Sequence, residues 1–276
     1  MPQTLDLTTA TIDYEDTGGP SPVVLFVHGL LVDGTLWRKV VAQLDGFRCV
    51  VPTLPLGSHR TPVRDRAALT PVGVADMLAE LMERLELTDV TIVANDTGGA
   101  VAQWLVGHRA ERVGRLVLTS CDAFEKFPPA PQRYLPVAAR TPGLLRAVAW
   151  LTRFRAVQRL PTAYGWTTRR PIEPAIMRSY TTPVRTIPGV RRDLARLLRA
   201  VDTRHTHEAA AALRGFDAPA LVLWAAEDRL FPLDHGRRLA ELLPQGRFET
   251  VAASRTFIPE EQPDRLVARL RAFLAR

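Results

Sequence analysis

The chain has 276 residues, 46% of them hydrophobic and 24% charged, which is typical of a globular protein with a sizeable apolar core. Its apolar runs are shorter than the about 18 residues that a membrane span requires. The first residues also lack the basic and apolar regions of a signal peptide. We therefore expect a cytoplasmic protein without a membrane partner.

The formal net charge is +7, and every basic residue except Lys39 and Lys126 is arginine. Between residues 133 and 204 the arginines are scattered among apolar residues at helical spacing, and no nucleic-acid-binding motif is present. We interpret this region as a solvated surface and expect no nucleic-acid partner; attraction of anionic substrates is the alternative. The cysteines, Cys49 and Cys121, form no cluster with histidines, so we expect neither a metal nor a cofactor.

Short apolar segments alternate with helical patterns along most of the chain. The apolar segments predict strands at 4–7, 11–15, 23–27, 47–51, 90–93, 113–119, 220–225 and 248–251. Helical periodicity predicts helices at 37–44, 72–87 and 265–274. Strands that alternate with helices predict the α/β class, with a doubly wound, mostly parallel sheet.

The pattern changes between residues 125 and 205. Prolines cluster there, no buried strand is predicted, and aromatic residues punctuate helical stretches. We predict a helical cap at 125–205, inserted between a first part of the core domain at 1–124 and a second part at 206–276. Because α/β sheets bind ligands at the carboxyl ends of their strands, we expect a mainly apolar pocket for a small-molecule substrate beneath this cap.

One turn connects a predicted strand to a predicted helix, and its sequence is Ala94-Asn95-Asp96-Thr97-Gly98. Strand, tight turn and helix are the context of a nucleophile elbow, in which a small-x-nucleophile-x-Gly turn holds a nucleophile above a parallel sheet. Asp96 occupies the nucleophile position. The alternative is that Asp96 only caps the following helix, a role that aspartate often has.

These features resemble the α/β-hydrolase superfamily over nearly the whole chain. The matching features are the pair His28-Gly29, the elbow at Asp96, the cap insertion, an acid at Asp228 after a late strand, and the terminal PEEQPDRL. The resemblance implies the α/β-hydrolase fold. With aspartate at the elbow, the chain most resembles the branch that contains haloalkane dehalogenases, epoxide hydrolases and fluoroacetate dehalogenases.

The resemblance also implies roles for single residues. In that branch a carboxylate attacks carbon and forms an ester, which a histidine then hydrolyses by activating water. Asp96 would be the nucleophile, and Asp228 would be the acid that orients the histidine, with Asp122 as the alternative acid. The backbone N–H groups of Leu30 and Thr97 would form the oxyanion hole.

The sequence departs from this family at the catalytic histidine. The loop after the final predicted strand has Thr256 at its place, with Arg255 before it, and residues 236–276 contain no histidine. Threonine cannot act as a base near neutral pH. Asp228 could instead pair with Arg255. His59, on a loop that follows a core strand, is our candidate for a substitute base, and His205 and His207 are further candidates.

Two other departures concern the substrate. Thr97 and Leu30 stand where haloalkane dehalogenases usually have halide-binding residues, and Tyr134, Tyr164 and Tyr180 could supply the phenol that epoxide hydrolases use. We predict a substrate-binding set that consists of His28, Leu31, Trp37, Phe231, Thr256 and Phe257.

Three functional hypotheses remain open. The first is a hydrolase that attacks an activated carbon of a small hydrophobic molecule. The second is a cofactor-independent lyase, isomerase or cyclase in which Asp96 transfers protons. The third is a binding protein that has lost catalysis. We expect a monomer or a homodimer.

Overall fold

A computed structural model of the chain describes residues 3–19, 22–125 and 127–275. Eight strands form one sheet in the order β1-β2-β4-β3-β5-β6-β7-β8. Both pairings of β2, with β1 and with β4, are antiparallel, and all other pairings are parallel. The strands are β1 Gln3–Asp6, β2 Thr11–Asp16, β3 Val23–Val27, β4 Arg48–Thr53, β5 Val90–Asp96, β6 Val113–Cys121, β7 Ala220–Ala225 and β8 Gly246–Val251.

Helices cover both faces of this sheet. They are α1 Arg38–Val41, α2 Pro71–Arg84, α3 Thr97–His108, α4 Tyr134–Arg140, α5 Leu144–Leu151, α6 Arg155–Gln158, α7 Pro174–Thr186, α8 Pro188–Ala200, α9 Thr203–Ala212, α10 Leu233–Leu242, α11 Ile258–Glu261 and α12 Pro263–Leu274. Buried residues of α2, α3 and α10 pack on one face of the sheet, and those of α1 and α12 pack on the other. This doubly wound arrangement confirms the predicted fold class.

The central strands are apolar because they are covered on both faces. All five residues of β3 and all six of β7 are buried, and both strands have the predicted limits. The helix predicted at 37–44 is wrong in extent. A 3-10 turn at Gly34–Trp37, capped by the Asp33 side chain, precedes a single α-helical turn, and the chain turns away at Gly46 with φ +89°.

Helices α4 to α8 lie between β6 and β7 in sequence, and we call them the insertion. They share a small apolar core of their own, formed by buried side chains of α4, α5, α7 and α8. The next helix, α9, packs against α3 of the main body. The domain boundaries at 124 and 205 stay a prediction, although the change from insertion to main body occurs close to the second one. In the part of the chain that the structure describes, no helix is both long enough and apolar enough to cross a bilayer.

Candidate active site

The turn between β5 and α3 has the backbone of a nucleophile elbow. Asp96 ends β5 with φ +55° and ψ −133°, in a conformation that non-glycine residues rarely adopt. A side chain at Gly98 would place its Cβ 2.4 Å from the carbonyl oxygen of His28, and one at Gly29 would place it 2.3 Å from Asp96 Oδ1. Glycine at both positions therefore lets the elbow approach the loop after β3.

The predicted oxyanion-hole donors contact the carboxylate of Asp96 itself. Asp96 Oδ1 accepts a hydrogen bond from the N–H of Thr97 at 2.6 Å and from the N–H of Leu30 at 3.2 Å. Enclosure by protein atoms raises the pKa of Asp96 above its usual range, and these two N–H groups partly oppose the rise. One oxygen of the carboxylate is thus fixed by the backbone.

Asp122 lies beside Asp96 at the end of β6. Its Oδ2 accepts a hydrogen bond from Thr97 Oγ1 at 2.8 Å, and its Oδ1 has no hydrogen-bond partner among the described residues. Burial, followed by the nearby charge of Asp96, raises the pKa of Asp122 well above its usual range. Burial therefore favours the protonated form of Asp122. A carboxyl that carries its proton can act as a general acid.

Asp228 lies in the loop that follows β7, close to the loop that follows β8. Its Oδ1 accepts from the N–H groups of Leu230 and Phe231 at 2.8 and 2.9 Å and from Thr256 Oγ1 at 3.0 Å. Burial raises the pKa of Asp228 to about 6, despite these donors and the hydroxyl of Ser120. The suggested Asp228–Arg255 pair does not form.

Arg255 instead donates through Nη1 to the carbonyl oxygens of Gly165 and Thr168. Its backbone N–H contacts the carboxylate of Glu261. Arg255 therefore connects the loop after β8 to the insertion. Asp228 accepts its hydrogen bond from Thr256 instead.

A cavity of about 100 Å³ lies between the insertion and the elbow. Its walls include Leu30 and Leu31 from the loop after β3, the pair Asp96 and Thr97, Asp122, and Phe257. The remaining walls are mainly apolar and include side chains of α4, α5, α7 and α8. The mainly apolar pocket lies where we expected it, with Asp96 and Asp122 as its acidic groups.

Four residues of the predicted substrate-binding set do not line this cavity, and these predictions need correction. Trp37 is fully buried against Phe26 on the opposite face of the sheet, and Phe231 packs in the main core. The hydroxyl of Thr256 donates a hydrogen bond to Asp228. His28 supports the loop: its Nδ1 contacts the carbonyl oxygen of Gly29 and its Nε2 accepts from the N–H of Leu54.

The prediction of His59 as a substitute base also needs correction. His59 is buried, and its Nε2 lies 3.3 Å from Oδ2 of Asp193 in α8. The other candidates, His205 and His207, lie near Trp104 and Phe124, respectively. Among the described residues that line the cavity, none is a histidine.

Two of the three tyrosines considered as phenol donors are held by backbone carbonyl groups. Tyr164 and Tyr134 line the cavity, and their hydroxyls donate to the carbonyl oxygens of Leu31 at 2.7 Å and of Thr162 at 3.1 Å. Tyr180 is fully buried and lies outside the cavity lining. A free phenol that faces Asp96 is therefore not provided by these three residues.

Sequence reasoning missed the residues that fix the catalytic loops relative to one another. Asn95 Nδ2 donates to the carbonyl oxygens of Thr119 and Thr256, which joins the elbow to β6 and to the loop after β8. Gln103 Nε2 donates to the carbonyl oxygen of Asp122. Asn95 could have been found from its place beside the nucleophile position, but Gln103 looks like an ordinary polar helix residue.

Comparison with known proteins assigns the chain to a family. The model of the alpha/beta hydrolase fold matches residues 22–263. The chain therefore belongs to the α/β-hydrolase fold family, and it is an enzyme of the hydrolase-like type.

Particular relatives are more distant. The chain is 28% identical to the cis-3-alkyl-4-alkyloxetan-2-one decarboxylase of Xanthomonas campestris pv. campestris, over 100% of this chain and 96% of the relative. It is 29% identical to a haloalkane dehalogenase of Mesorhizobium japonicum, over 82% of this chain and 73% of the relative. A solved haloalkane dehalogenase from Bradyrhizobium elkani superposes with a TM-score of 0.82 at 21% identity, covering 100% of this chain and 97% of that one, which shows a shared fold.

Proposed function

We propose that Asp96 is a covalent nucleophile that attacks an activated carbon of a small hydrophobic molecule, of the carbon–halogen, epoxide or ester type. The observation that carries this proposal is the pair of N–H groups, from Leu30 and Thr97, on Asp96 Oδ1. In an enzyme with a serine nucleophile, such donors serve an oxygen of the substrate. Here they serve an oxygen of the enzyme's own carboxylate.

This placement suits the formation and hydrolysis of an ester on Asp96. The other carboxylate oxygen forms a bond to the substrate carbon, and the leaving group departs with its electron pair. Oδ1 then becomes the ester carbonyl oxygen, still in contact with the two N–H groups. When water adds to Cγ, the negative charge that develops on Oδ1 is stabilised by the same donors.

We propose Asp122 as the general acid and base of this reaction, in place of the histidine that activates water in the enzymes this chain resembles. Its proton can pass to a leaving oxygen while the ester forms, which leaves Asp122 as a carboxylate. That carboxylate can then accept a proton from the water that hydrolyses the ester. The contact between Thr97 Oγ1 and Asp122 Oδ2 keeps the two acidic side chains adjacent throughout.

A second candidate function is a reaction that consumes no water. It is favoured by the hydrogen bond from Thr256 to Asp228, because Thr256 cannot activate water as a histidine would. The relative from Xanthomonas campestris is named a decarboxylase, and loss of carbon dioxide from an oxetan-2-one needs no water. In this candidate Asp96 attacks or moves a proton, and the substrate fragments within the apolar cavity.

Mass spectrometry in water labelled with heavy oxygen distinguishes the two candidates. The protein is incubated with a primary bromoalkane, a terminal epoxide and a cis-dialkyl oxetan-2-one, and both products and the elbow peptide are analysed. Hydrolysis of an ester at Cγ of Asp96 places the label in the carboxylate of Asp96, as measured on that peptide. Product formation that leaves the carboxylate of Asp96 without the label supports the water-free reaction.

Two variants test whether Asp96 is the reacting group. Asp96→Asn keeps the shape of the side chain but loses its charge, so turnover and adduct should both disappear while the protein stays folded. Asp217→Asn, at an exposed position far from the cavity lining, is the matched control. Turnover by the Asp96→Asn protein would refute the nucleophile. The absence of any adduct or product in the parent protein would favour the lapsed binding protein.

A further inference from the structure

The exposed large apolar side chains are concentrated in one part of the insertion. Among the described residues, six such side chains stand out, and all of them fall between residues 137 and 160: Val137, Leu144, Trp150, Leu151, Phe154 and Leu160. Trp150 is 49% exposed and Phe154 is 42% exposed. We call this set the exposed apolar face. Large exposed apolar side chains concentrated in one part of a protein often mark a docking surface.

The same part of the sequence lacks acidic residues. Residues 126–172 contain no aspartate or glutamate. They contain Lys126 and eight arginines, which are Arg133, Arg140, Arg146, Arg153, Arg155, Arg159, Arg169 and Arg170. A run of this length with one sign of charge creates a positive potential over the insertion. Its partner is therefore expected to be anionic.

Arginine and aromatic side chains are interleaved on the exposed apolar face. The guanidinium of Arg153 lies 3.7 Å from the ring centroid of Trp150 and 4.4 Å from that of Phe154. The two rings pack edge to face at 5.5 Å. Arg155 and Arg159 make no side-chain hydrogen bond or ion pair within the described residues, so their charges are available to a partner.

These arginines also border a cleft of about 500 Å³ next to the exposed apolar face. Six of the residues that line this cleft are arginines: Arg153, Arg155, Arg159, Arg169, Arg170 and Arg178. The guanidinium group binds phosphate oxygens through paired N–H donors. The cleft thus offers binding positions for phosphate groups at the edge of an apolar surface.

We propose that the exposed apolar face docks on a lipid bilayer that carries anionic phospholipids. Trp150, Leu151 and Phe154 enter the boundary between headgroups and acyl chains, and the surrounding arginines contact headgroup phosphates. A second copy of the chain fits this face less well, because it would bring two arginine-rich surfaces together. Docking on a surface is compatible with the lack of a spanning segment, and it revises our expectation of no membrane partner.

Helix α5 connects this face with the active-site cavity. Leu145, Val148 and Ala149 line the cavity from its inner side, while Leu144 and Leu151 are exposed on its outer side. A docked protein therefore holds its apolar cavity one helix away from the acyl chains. The proposal does not depend on the reaction at Asp96, since it rests on the outer surface alone.

Co-sedimentation with vesicles tests the proposal on the full chain. One set of vesicles contains phosphatidylcholine alone, and the other contains equal parts of phosphatidylcholine and phosphatidylglycerol. We expect binding to the mixed vesicles, weaker binding to the neutral ones, and loss of binding as the salt concentration rises. Failure to bind the mixed vesicles at low salt would overturn the proposal.

Matched variants assign the binding to this face. Arg155→Glu combined with Arg159→Glu should weaken binding by about tenfold or more. Arg214→Glu combined with Arg247→Glu changes the net charge equally at exposed positions outside the insertion, and it should weaken binding less. Trp150→Ala should weaken binding at unchanged net charge. Equal losses in the two arginine pairs would overturn the proposal.

Two further measurements exclude other occupants. Each variant is first shown by circular dichroism and thermal unfolding to be folded, as expected for changes at exposed positions. Binding of a single-stranded oligonucleotide or formation of a dimer that depends on Trp150, without binding to the mixed vesicles, would contradict the proposal. Vesicle binding that the Trp150→Ala and Arg155→Glu/Arg159→Glu proteins lose would support it.

Discussion

Thr256 Oγ1 donates a hydrogen bond to Asp228 Oδ1 at 3.0 Å, and so the hydroxyl satisfies the acid that we expected to orient a histidine. The two N–H groups of Leu230 and Phe231 reach the same oxygen. Asp228 is therefore buried, but its Oδ1 accepts three hydrogen bonds. The hydrogen bond preserves the local architecture, but it supplies no group that can take a proton from water near neutral pH.

Thr256→His should shorten the lifetime of an ester on Asp96. The imidazole would have Asp228 as its partner and could activate water, which the hydroxyl cannot do. The side chain is larger in a fully buried position, so we also expect a loss of about 1–3 kcal/mol in the free energy of unfolding. The lifetime is measured by intact-protein mass spectrometry after removal of excess electrophile. Thr256→Val, which removes only the hydroxyl, is the control and should leave the lifetime unchanged.

Asp122→Asn should affect electrophiles according to the leaving group. An epoxide oxygen needs a proton as the ring opens, and the amide has no acidic proton to give, so the rate of adduct formation should fall about a hundredfold or more. Bromide leaves without a proton, so the bromoalkane adduct should still form at a similar rate. Rates are followed by mass spectrometry. Equal losses with both electrophiles would argue for a structural role of Asp122.

The stability of the protein should fall as the pH rises from about 4 to about 7, with Asp228 as one cause. Its pKa is about 6 in the folded protein and 3.8 as the usual value. The folded state therefore keeps a proton that the unfolded state loses, and the ionisation costs stability as pH rises through this window. The cost is of the order of 2 kcal/mol.

Asp228→Asn does not titrate and isolates this contribution. The difference in unfolding free energy between the variant and the parent should grow by that amount between pH 4 and pH 7. Urea denaturation at several pH values measures it. Parallel curves for the two proteins would show that Asp228 is not the titrating group.

His59→Ala should lower stability without changing the chemistry at Asp96. His59 and the N–H of Val63 contact Oδ2 of Asp193, while Arg66 Nε reaches Oδ1 at 3.0 Å, so this carboxylate of α8 fastens the insertion to the core. We expect a loss of about 1–2 kcal/mol in the free energy of unfolding. His59→Gln, which can still donate to Asp193, should lose less. A slower reaction of Asp96 in the alanine variant would reinstate His59 at the active site.

Gly98→Ala should destabilise the protein by about 3 kcal/mol or more. The new Cβ would lie 2.4 Å from the carbonyl oxygen of His28 and 2.6 Å from that of Val27, and backbone cannot yield as a flexible side chain can. At Gly215 an added Cβ meets nothing within 4 Å, so Gly215→Ala is the matched control and should stay within about 0.5 kcal/mol of the parent. Thermal and urea unfolding compare the two variants.

The main body of the fold could be predicted because its signals are local. Five consecutive apolar residues at Val23–Val27 indicate a strand covered on both faces in a chain where such runs alternate with helical patterns, and the elbow turn has a recognisable spacing. Asp96, Leu30 and Thr97 meet in space because the turn and the loop after β3 lie at the same edge of the sheet. Those contacts follow from topology.

The errors arose where contacts are distant in sequence. The position of His59 on a loop at the active-site edge of the sheet predicts a substitute base, but its partner, Asp193, is 134 residues further along the chain. Trp37 follows the loop after β3 in sequence, yet its ring packs against Phe26 on the face of the sheet that α1 and α12 cover. No local sequence pattern specifies the His59–Asp193 or the Trp37–Phe26 contact, because each depends on how the insertion or the short first helix packs on the core.

The hydroxyl of Tyr164, which lines the cavity, donates to the carbonyl oxygen of Leu31, the residue that follows Leu30. We expect a substrate that is too large for the cavity of about 100 Å³ to enter when Tyr164 moves away from Leu31. That movement breaks the bond to Leu31 and frees the loop whose N–H group holds Asp96. We therefore expect entry of the substrate and positioning of the Asp96 carboxylate to be consecutive events, because the N–H group of Leu30 holds Asp96 Oδ1 while Tyr164 donates to the adjacent Leu31.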